Sequence, residues 1–355
     1  MKESQKVIFT NDVARALEGF IDEFRPYNTV ILVDSNTRDA VLPRLTARSE
    51  LLKSLPVIVT PAGDINKNIE ALTAIWTGLQ ECGANRHSML INLGGGMVTD
   101  MGGFAAATFK RGIKFINVPT TLLSSVDAAV GGKTGINFNG LKNEVGAFAP
   151  AQAVLISTAF LSTLPASEIL SGYAEMLKHG LIDTPEHYAR LIDFEPVEGS
   201  AEHLLSLLEQ SVKVKERIVL EDPFEHGIRR ALNLGHTVGH AFESLAMRRG
   251  CPVPHGYAVA WGCIVELVLS HMQLGFPSSV LHGFAEYVGS HYGTFPITCD
   301  DYPELLELMH HDKKNTGGDI NFTLLKNIGE IFIDRTCDEA TIASALDIFR
   351  DLLHI

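Results

Sequence analysis

Residues 89–93 (MLINL) run directly into Gly94-Gly95-Gly96 and then into the helix-forming stretch MVTDMGGFAAATF. A short apolar strand, a turn of glycines and a helix make the repeating unit of parallel α/β sheets. Glycines let the backbone approach a pyrophosphate, and the first turn of the helix offers it unpaired N–H groups. The pattern is not G-x-G-x-x-G, and by itself it is equally an ordinary tight turn. Its neighbours narrow the choice. Residues 28–33 (NTVILV) close on Asp34, residues 57–60 read VIVT, and residues 114–118 (KFINV) close on Pro119. β-branched runs separated by helix-length segments predict parallel strands with helical crossovers. Ligands of such sheets bind at the carboxyl ends of the strands. There Asp34 is placed to take ribose hydroxyls, and Thr120 and Thr121 bring further hydroxyls to the same edge.

The texture changes after Leu164-Pro165. Residues 168–182, 201–219, 233–247, 257–272 and 302–310 carry apolar side chains at helical spacing. Strand-like runs become scarce, the clearest being 320–325 (INFTLL). The chain therefore reads as an α/β, Rossmann-like nucleotide-binding domain over residues 1–165, followed by a mainly α-helical domain over 166–355. A length of 355 residues suits two domains, and 46% apolar with 20% charged residues suits two cores.

The formal net charge of −13 argues against nucleic acid as a partner, since phosphate neutralisation needs surplus Lys and Arg. The five cysteines are scattered without a C-x-x-C, which points to a reducing interior rather than a disulfide framework. The start, MKESQKVIFTND, lacks the apolar core of a signal peptide. No apolar run reaches the roughly 18 residues that span a bilayer. A cytoplasmic protein with no membrane association is the expectation.

Two stretches carry candidate chemistry. Residues 127–143 (DAAVGGKTGINFNGLKN) set Lys133, Lys142 and Asn143 among glycines, which suggests a cradle for phosphate or carboxylate; a solvated surface loop is the blander alternative. The resemblance of Gly131-Gly132-Lys133-Thr134 to the end of a P-loop fails, because the glycine required further upstream is missing. The second stretch, residues 233–243 (NLGHTVGHAFE), places His236 and His240 on one helical face, without the glutamate of H-E-x-x-H. Pro254-His255-Gly256 adds a histidine at the start of a long apolar helix. GYAEMLKHG (172–180) puts Glu175, Lys178 and His179 on one face of another helix. In that apolar setting a Glu and a Lys are as readily a buried ion pair as catalysts. Two His and one Glu nevertheless make a familiar catalytic zinc set with positions left open. Spacing leaves undecided which histidines join the glutamate.

Taken together, residues 94–116, 118–143, 161–182, 229–243, 254–262 and 311–315 (HDKKN) resemble, in order, the motifs of the dehydroquinate synthase family. The resemblance implies a metal ion, zinc or cobalt, on Glu175, His236 and His255. It implies NAD against Asp34, Asn36, Asp64, Lys67, Gly95, Gly96, Met97, Asp100, Thr120, Thr121, Lys133, Lys142 and the Phe160–Thr163 turn. It implies a substrate pocket built from Asp127, Lys133, Asn143, Lys178, Lys215, Arg229, Asn233, His240 and a lysine of the Lys313-Lys314 pair. Arg111 matches a position that reaches a neighbouring subunit's phosphate site, which implies a homodimer. Three positions depart from the common pattern: Thr99 for Gly, His179 for Tyr and Tyr257 for Glu.

The implied reaction turns the sugar phosphate 3-deoxy-D-arabino-heptulosonate 7-phosphate into 3-dehydroquinate and phosphate. It proceeds by NAD-dependent oxidation, phosphate elimination, reduction and intramolecular aldol closure, a step of the shikimate pathway to aromatic amino acids. A substrate bearing both phosphate and carboxylate needs several cations, which Lys133, Lys142, Lys215, Arg229 and Lys313 supply. His240 is read as a group on the phosphate side rather than a ligand, its ring able to relay protons near neutral pH. The competing readings are another sugar-phosphate cyclase, a metal-dependent polyol dehydrogenase of the same fold, and a non-catalytic NAD-binding protein. Arg229 speaks against the first, the lysines of 127–143 against the second, and the intact Glu/His trio against the third.

Overall fold

The computed structural model of the chain describes residues 5–139, 141–310 and 320–355. Lys313 and its neighbours in the HDKKN motif lie outside the described residues. The chain divides into two compact units. One comprises the residues up to Pro165 with Ser200–Val212; the other comprises Ala166–Gly199 with the residues from Lys213 onward.

The first unit holds strands β1 (Lys6–Phe9), β2 (Thr29–Asp34), β3 (Val57–Thr60), β4 (Met89–Gly94), β5 (Lys114–Pro119), β6 (Lys133–Phe138), β7 (Leu141–Phe148) and β8 (Ala153–Ile156). Six of them form one sheet in the order β1-β8-β5-β4-β2-β3. All of its pairings are parallel. β2, β4 and β8 are buried along their whole length, which is why they read as unbroken apolar runs. Val13, Leu17 and Phe20 of the helix Val13–Phe24 pack over Ile31, Ile91, Ile116 and Leu155. The register brings Asp34 beside Thr60 and Gly94 beside Pro119, so the strand ends singled out above share one sheet edge.

Two strands of this sheet, β1 and β8, escaped the sequence reading. KVIF is short and only half-buried, and AVLI stands without an Asp, Gly or Pro to mark its end. The Lys133–Asn143 stretch is a further correction. It is not an open loop but lies in an antiparallel hairpin of β6 and β7. A Cβ on Gly146 would stand 2.1 Å from the Thr134 carbonyl, and one on Gly135 would stand 2.7 Å from that of Val145. These glycines let two backbones meet.

Among the described residues the second unit is mainly helical, with one antiparallel hairpin, β9 (Ile320–Asn327) and β10 (Glu330–Cys337). The helix Ala201–Glu221 contributes its first residues to the first unit and its last to the second. The helix His255–Leu274 corrects the expectation about apolar length. It is long and apolar enough to cross a membrane, yet 72% of its most apolar window is buried inside the protein. Against it lie the helices Ala166–Ile182 and His236–Arg248. These three helices bring the candidate metal ligands together.

Candidate active site

Glu175 sits in the middle of Ala166–Ile182, fully buried. Its Oε1 lies 3.4 Å from His236 Nε2 and 3.6 Å from His255 Nε2, and among the described residues takes no well-formed hydrogen bond. One donor atom from each of these three residues falls within 4.8 Å of the others. Glu175 Oε2 is held by the Lys178 ammonium, itself buried. The blander reading of Glu175 and Lys178 as a buried ion pair is therefore true, but it engages only one carboxylate oxygen. Burial alone would raise the Glu175 pKa; the charges of Lys178 and His236 overcome this and hold the carboxyl well below its usual range.

The rings are turned so that Nε2 faces the glutamate. His236 Nδ1 lies 3.1 Å from the Leu234 carbonyl, and His255 Nδ1 lies 3.1 Å from Glu243 Oε2. Such anchoring fixes the tautomer and aims the other nitrogen at a common point. Burial would depress the His255 pKa, but its contacts with Glu175 and Glu243 push it up to about 9. A site that holds positive charge this firmly is electrostatically prepared for a cation. His240, one turn beyond His236, keeps its ring 5.4 Å from that of His236 and 5.9 Å from that of His255, and is not among the three donors. His179 is fully buried one residue beyond Lys178.

Two carboxylates here were not singled out from the sequence. Glu243 ends the NLGHTVGHAFE stretch. Glu266, fully buried, accepts hydrogen bonds from the Gly235, Thr237 and Val238 amides at 2.7, 3.1 and 3.3 Å. The available sign was a lone acid in the apolar run AWGCIVELVLS, since an ionised side chain there must be satisfied internally.

The rest of the expected substrate set in this unit is also built in. Arg229 is only 3% exposed, and its Nη1 donates to the Pro223 carbonyl at 2.7 Å. The turn before it is tied by Asp222, which accepts from the His226, Gly227 and Arg229 amides. Burial opposes ionisation of Asp222, but these amides win and hold its pKa at about 2. Asn233 Nδ2 donates to Glu225 Oε1 at 3.3 Å, and Lys215 is buried.

In the first unit, Gly95 caps the helix Gly96–Thr108, and Met97 and Asp100 lie in its first turns. Asp34 caps the helix Ser35–Ala40, which carries the exposed Asn36. Asp34 Oδ1 accepts from the Thr37 amide at 2.8 Å and from its hydroxyl at 3.0 Å, while that hydroxyl accepts from the Asp34 amide. The cap is a role the sequence reading did not assign. The Thr121 hydroxyl accepts from the Ser124 amide and so starts the short turn Ser124–Ala128 that holds Asp127. Thr120 is buried, with its amide on the Gly94 carbonyl. Thr99 is buried too, its hydroxyl on the Gly96 carbonyl.

Lys67 links the expected cofactor and substrate sets. Its ammonium lies 2.6 Å from Asp100 Oδ2 and also donates to Asn143 Oδ1. Asn143 stands in a left-handed conformation, its amide on Asn137 Oδ1; Asn137 in turn donates to Asp64, and Lys142 lies 3.8 Å from the same carboxylate. Lys133 opens β6 with its side chain exposed. The Phe160 ring is part of the core, while Thr163 donates to the Phe160 carbonyl at 2.7 Å. Arg111 is set apart. It stands in a left-handed turn at the C-terminal end of Gly96–Thr108, away from the glycine turn.

Several solved structures share this fold. One is 2-epi-5-epi-valiolone synthase from Streptomyces hygroscopicus, solved with NAD+ and Zn2+ bound: TM-score 0.85, 24% identity, 99% of this chain and 98% of that one. Another is 2-deoxy-scyllo-inosose synthase, complexed with carbaglucose-6-phosphate, NAD+ and Co2+: TM-score 0.82, 23% identity, 97% and 96% coverage. A glycerol dehydrogenase from Schizosaccharomyces pombe shares the fold at TM-score 0.66 and 14% identity, over 99% of this chain and 90% of that one. At these identities the likeness shows the fold.

The sequence goes further. The family models described as 3-dehydroquinate synthase N-terminal and C-terminal match residues 57–171 and 172–315. A 3-dehydroquinate synthase from Parabacteroides distasonis is 52% identical over 351 residues, 99% of each chain. Another from Pyrococcus abyssi is 40% identical over 91% of this chain and 94% of that one. The chain belongs to the 3-dehydroquinate synthase family, a family of lyases, as its motifs implied.

Proposed function

We propose that this enzyme converts 3-deoxy-D-arabino-heptulosonate 7-phosphate to 3-dehydroquinate and phosphate, in the shikimate pathway to aromatic amino acids. The observation that carries the reading is the donor set of Glu175 Oε1, His236 Nε2 and His255 Nε2. A fully buried carboxylate oxygen with no hydrogen bond among the described residues, faced by two imidazoles anchored from behind, fits a divalent ion, zinc or cobalt, with coordination positions to spare. Bound there, the ion supplies a Lewis acid for a substrate hydroxyl, and NAD supplies the hydride acceptor and later donor.

The remaining work falls to the protein's own groups. Lys178 keeps Glu175 ionised. Arg229 is assigned to the substrate carboxylate, because a guanidinium matches it in bidentate fashion. Lys215, Asn233, Asp127, Lys133, Asn143 and a lysine of the Lys313-Lys314 pair orient the chain of hydroxyls and the phosphate. His240 moves a proton on the phosphate side. NAD is assigned to the sheet edge at Asp34, Asn36, Asp64, Lys67, Gly95, Gly96, Met97, Asp100, Thr120, Thr121, Lys133, Lys142 and the backbone near Phe160 and Thr163. We assign Arg111 to a second subunit's phosphate site in a cytoplasmic homodimer; its distance from this chain's own glycine turn supports that reading.

The test is a substrate profile. The metal- and NAD-loaded protein is offered the heptulosonate phosphate, glucose 6-phosphate and glycerol. Formation of 3-dehydroquinate from the first alone is expected. Cyclisation of the second or NADH production from the third, without turnover of the first, would overturn the proposal.

A further inference from the structure

Resting on the reading of Glu175, His236 and His255 as a metal site, we infer that Glu266 is a positioning residue for that metal. It sets the place of His236 without being a ligand itself. Glu266 lies on His255–Leu274, the helix that opens with His255, and reaches across to the helix that opens with His236. Its two oxygens hold the amides of Gly235, Thr237 and Val238, one residue before His236 and the two after it. His236 is thus bracketed on both sides by a single carboxylate. These amides belong to the first turn of a helix, where N–H groups have no partner within the helix and favour negative charge.

The packing around the bracket is unyielding. Gly235 is left-handed (φ 78°), and a Cβ there would stand 2.3 Å from Cys263 Sγ and 2.9 Å from the Val259 carbonyl. A Cβ on Gly262 would stand 2.2 Å from the Gly235 carbonyl. The two helices meet backbone to backbone, so rotation of the His236 helix is controlled where Glu266 grips it. The ring is then fixed at its Nδ1 by the Leu234 carbonyl, at 3.1 Å from the same turn. One carboxylate thereby couples the helix of His255 to the backbone of His236, and the separation of the two imidazoles depends on it.

A second feature supports the assignment. A helix cap of ordinary kind uses a neighbouring Ser, Thr, Asp or Asn. Here the N-cap is Gly235, which has no side chain to do this, and the cap comes from a fully buried acid on another helix. Burial of an ionised carboxylate is costly unless its hydrogen bonds are satisfied, and a Ser at position 235 is excluded by Cys263. The local need for a cap and the need to place a metal ligand are met by one group.

The experiment compares wild type with Glu266→Gln and Glu266→Asp, each loaded with Co2+ on NAD-bound protein. Gln keeps the volume but loses the charge and one acceptor oxygen; Asp keeps the charge but withdraws it by a methylene. The readouts are the Co2+ dissociation constant by chelator competition, the cobalt d–d absorption spectrum, NAD affinity and the thermal midpoint of metal-free protein. Ser270→Ala, which removes a buried hydroxyl one turn along the same helix that accepts from the Leu325 amide of β9 and donates to the Glu266 carbonyl, serves as the control for loss of stability that leaves the Glu266 carboxylate in place. Outer partners of metal ligands are worth about 10–100-fold in affinity. We expect Glu266→Gln to weaken Co2+ within that range and to shift the d–d bands. Glu266→Asp should recover part of the affinity, NAD binding should stay unchanged, and Ser270→Ala should lower the midpoint alone. Wild type that fails to bind Co2+ with Glu175, His236 and His255 intact would refute the underlying metal site. Wild type that binds it, with a Glu266→Gln that binds equally well with an identical spectrum, would refute only the role of Glu266. If neither variant folds while Ser270→Ala does, Glu266 serves the fold alone and the inference is overturned.

Discussion

His255 faces two carboxylates, Glu175 at 3.6 Å and Glu243 at 3.1 Å, and in the metal-free protein its pKa rises to about 9. The sign of the consequence follows. The stability drawn from protonated His255 is complete below its ordinary value of 6.5 and is lost as the pH climbs through about 9. A divalent ion must displace that proton, so metal affinity should rise about tenfold per pH unit up to about 9. Metal titrations at several pH values check this, and an affinity flat from pH 6.5 to 9 would contradict it. The neighbouring His240 lies outside the donor set, and His240→Ala should keep its metal while turning over about 100-fold or more slowly, the usual weight of a proton-transfer group. Loss of metal together with activity would instead make it a ligand. Spacing alone could not separate the histidines, because His236 and His240 share a helix while His255 comes from another. Only the family motif put His255 ahead, and the ring geometry now gives a physical reason: its Nε2, not that of His240, falls within ligand distance of the other donors.

Among the elements, four strands of the sheet were readable and the β6–β7 hairpin was not. β2, β4 and β5 announce themselves because buried parallel strands are written mostly in apolar residues. Asp34 and the glycine turn mark their ends. β6 and β7 carry lysines, asparagines and glycines because β7 is exposed along nearly its whole length and the glycines serve close backbone approach; that composition is also the composition of a loop. Glu266 and Glu243 went unread for a related reason. Their partners are backbone amides and an imidazole on other segments, and no local pattern encodes such a pairing. The Lys67–Asp100 pair belongs to this scale, since it ties the start of the Gly96–Thr108 helix to the hairpin through Asn143. Lys67→Met should weaken NAD binding and raise the substrate KM together, with a stability loss of at most about 3 kcal/mol, because Asp100 keeps partial solvent contact. Calorimetry with NAD and steady-state kinetics decide; a change in NAD affinity alone would remove the link to Asn143.

At the scale of the whole molecule, the chain carries its chemistry in two sets. The nucleotide-type sheet edge lies in one compact unit, and the Glu175–His236–His255 cluster lies in the other. Each set is built within its own unit, so removal of the metal should leave NAD binding in place while abolishing turnover, and added Zn2+ or Co2+ should restore it. A chain of net −13 still buries cations, Lys178, Lys215 and Arg229, in the unit that carries the Glu175–His236–His255 cluster. The most direct test of this account is phosphate release from 3-deoxy-D-arabino-heptulosonate 7-phosphate. With NAD and a divalent metal present, stoichiometric release of phosphate and 3-dehydroquinate is predicted, falling to background with chelator and returning when metal is added back. No release with both NAD and metal bound, or release that persists in chelator, would contradict it.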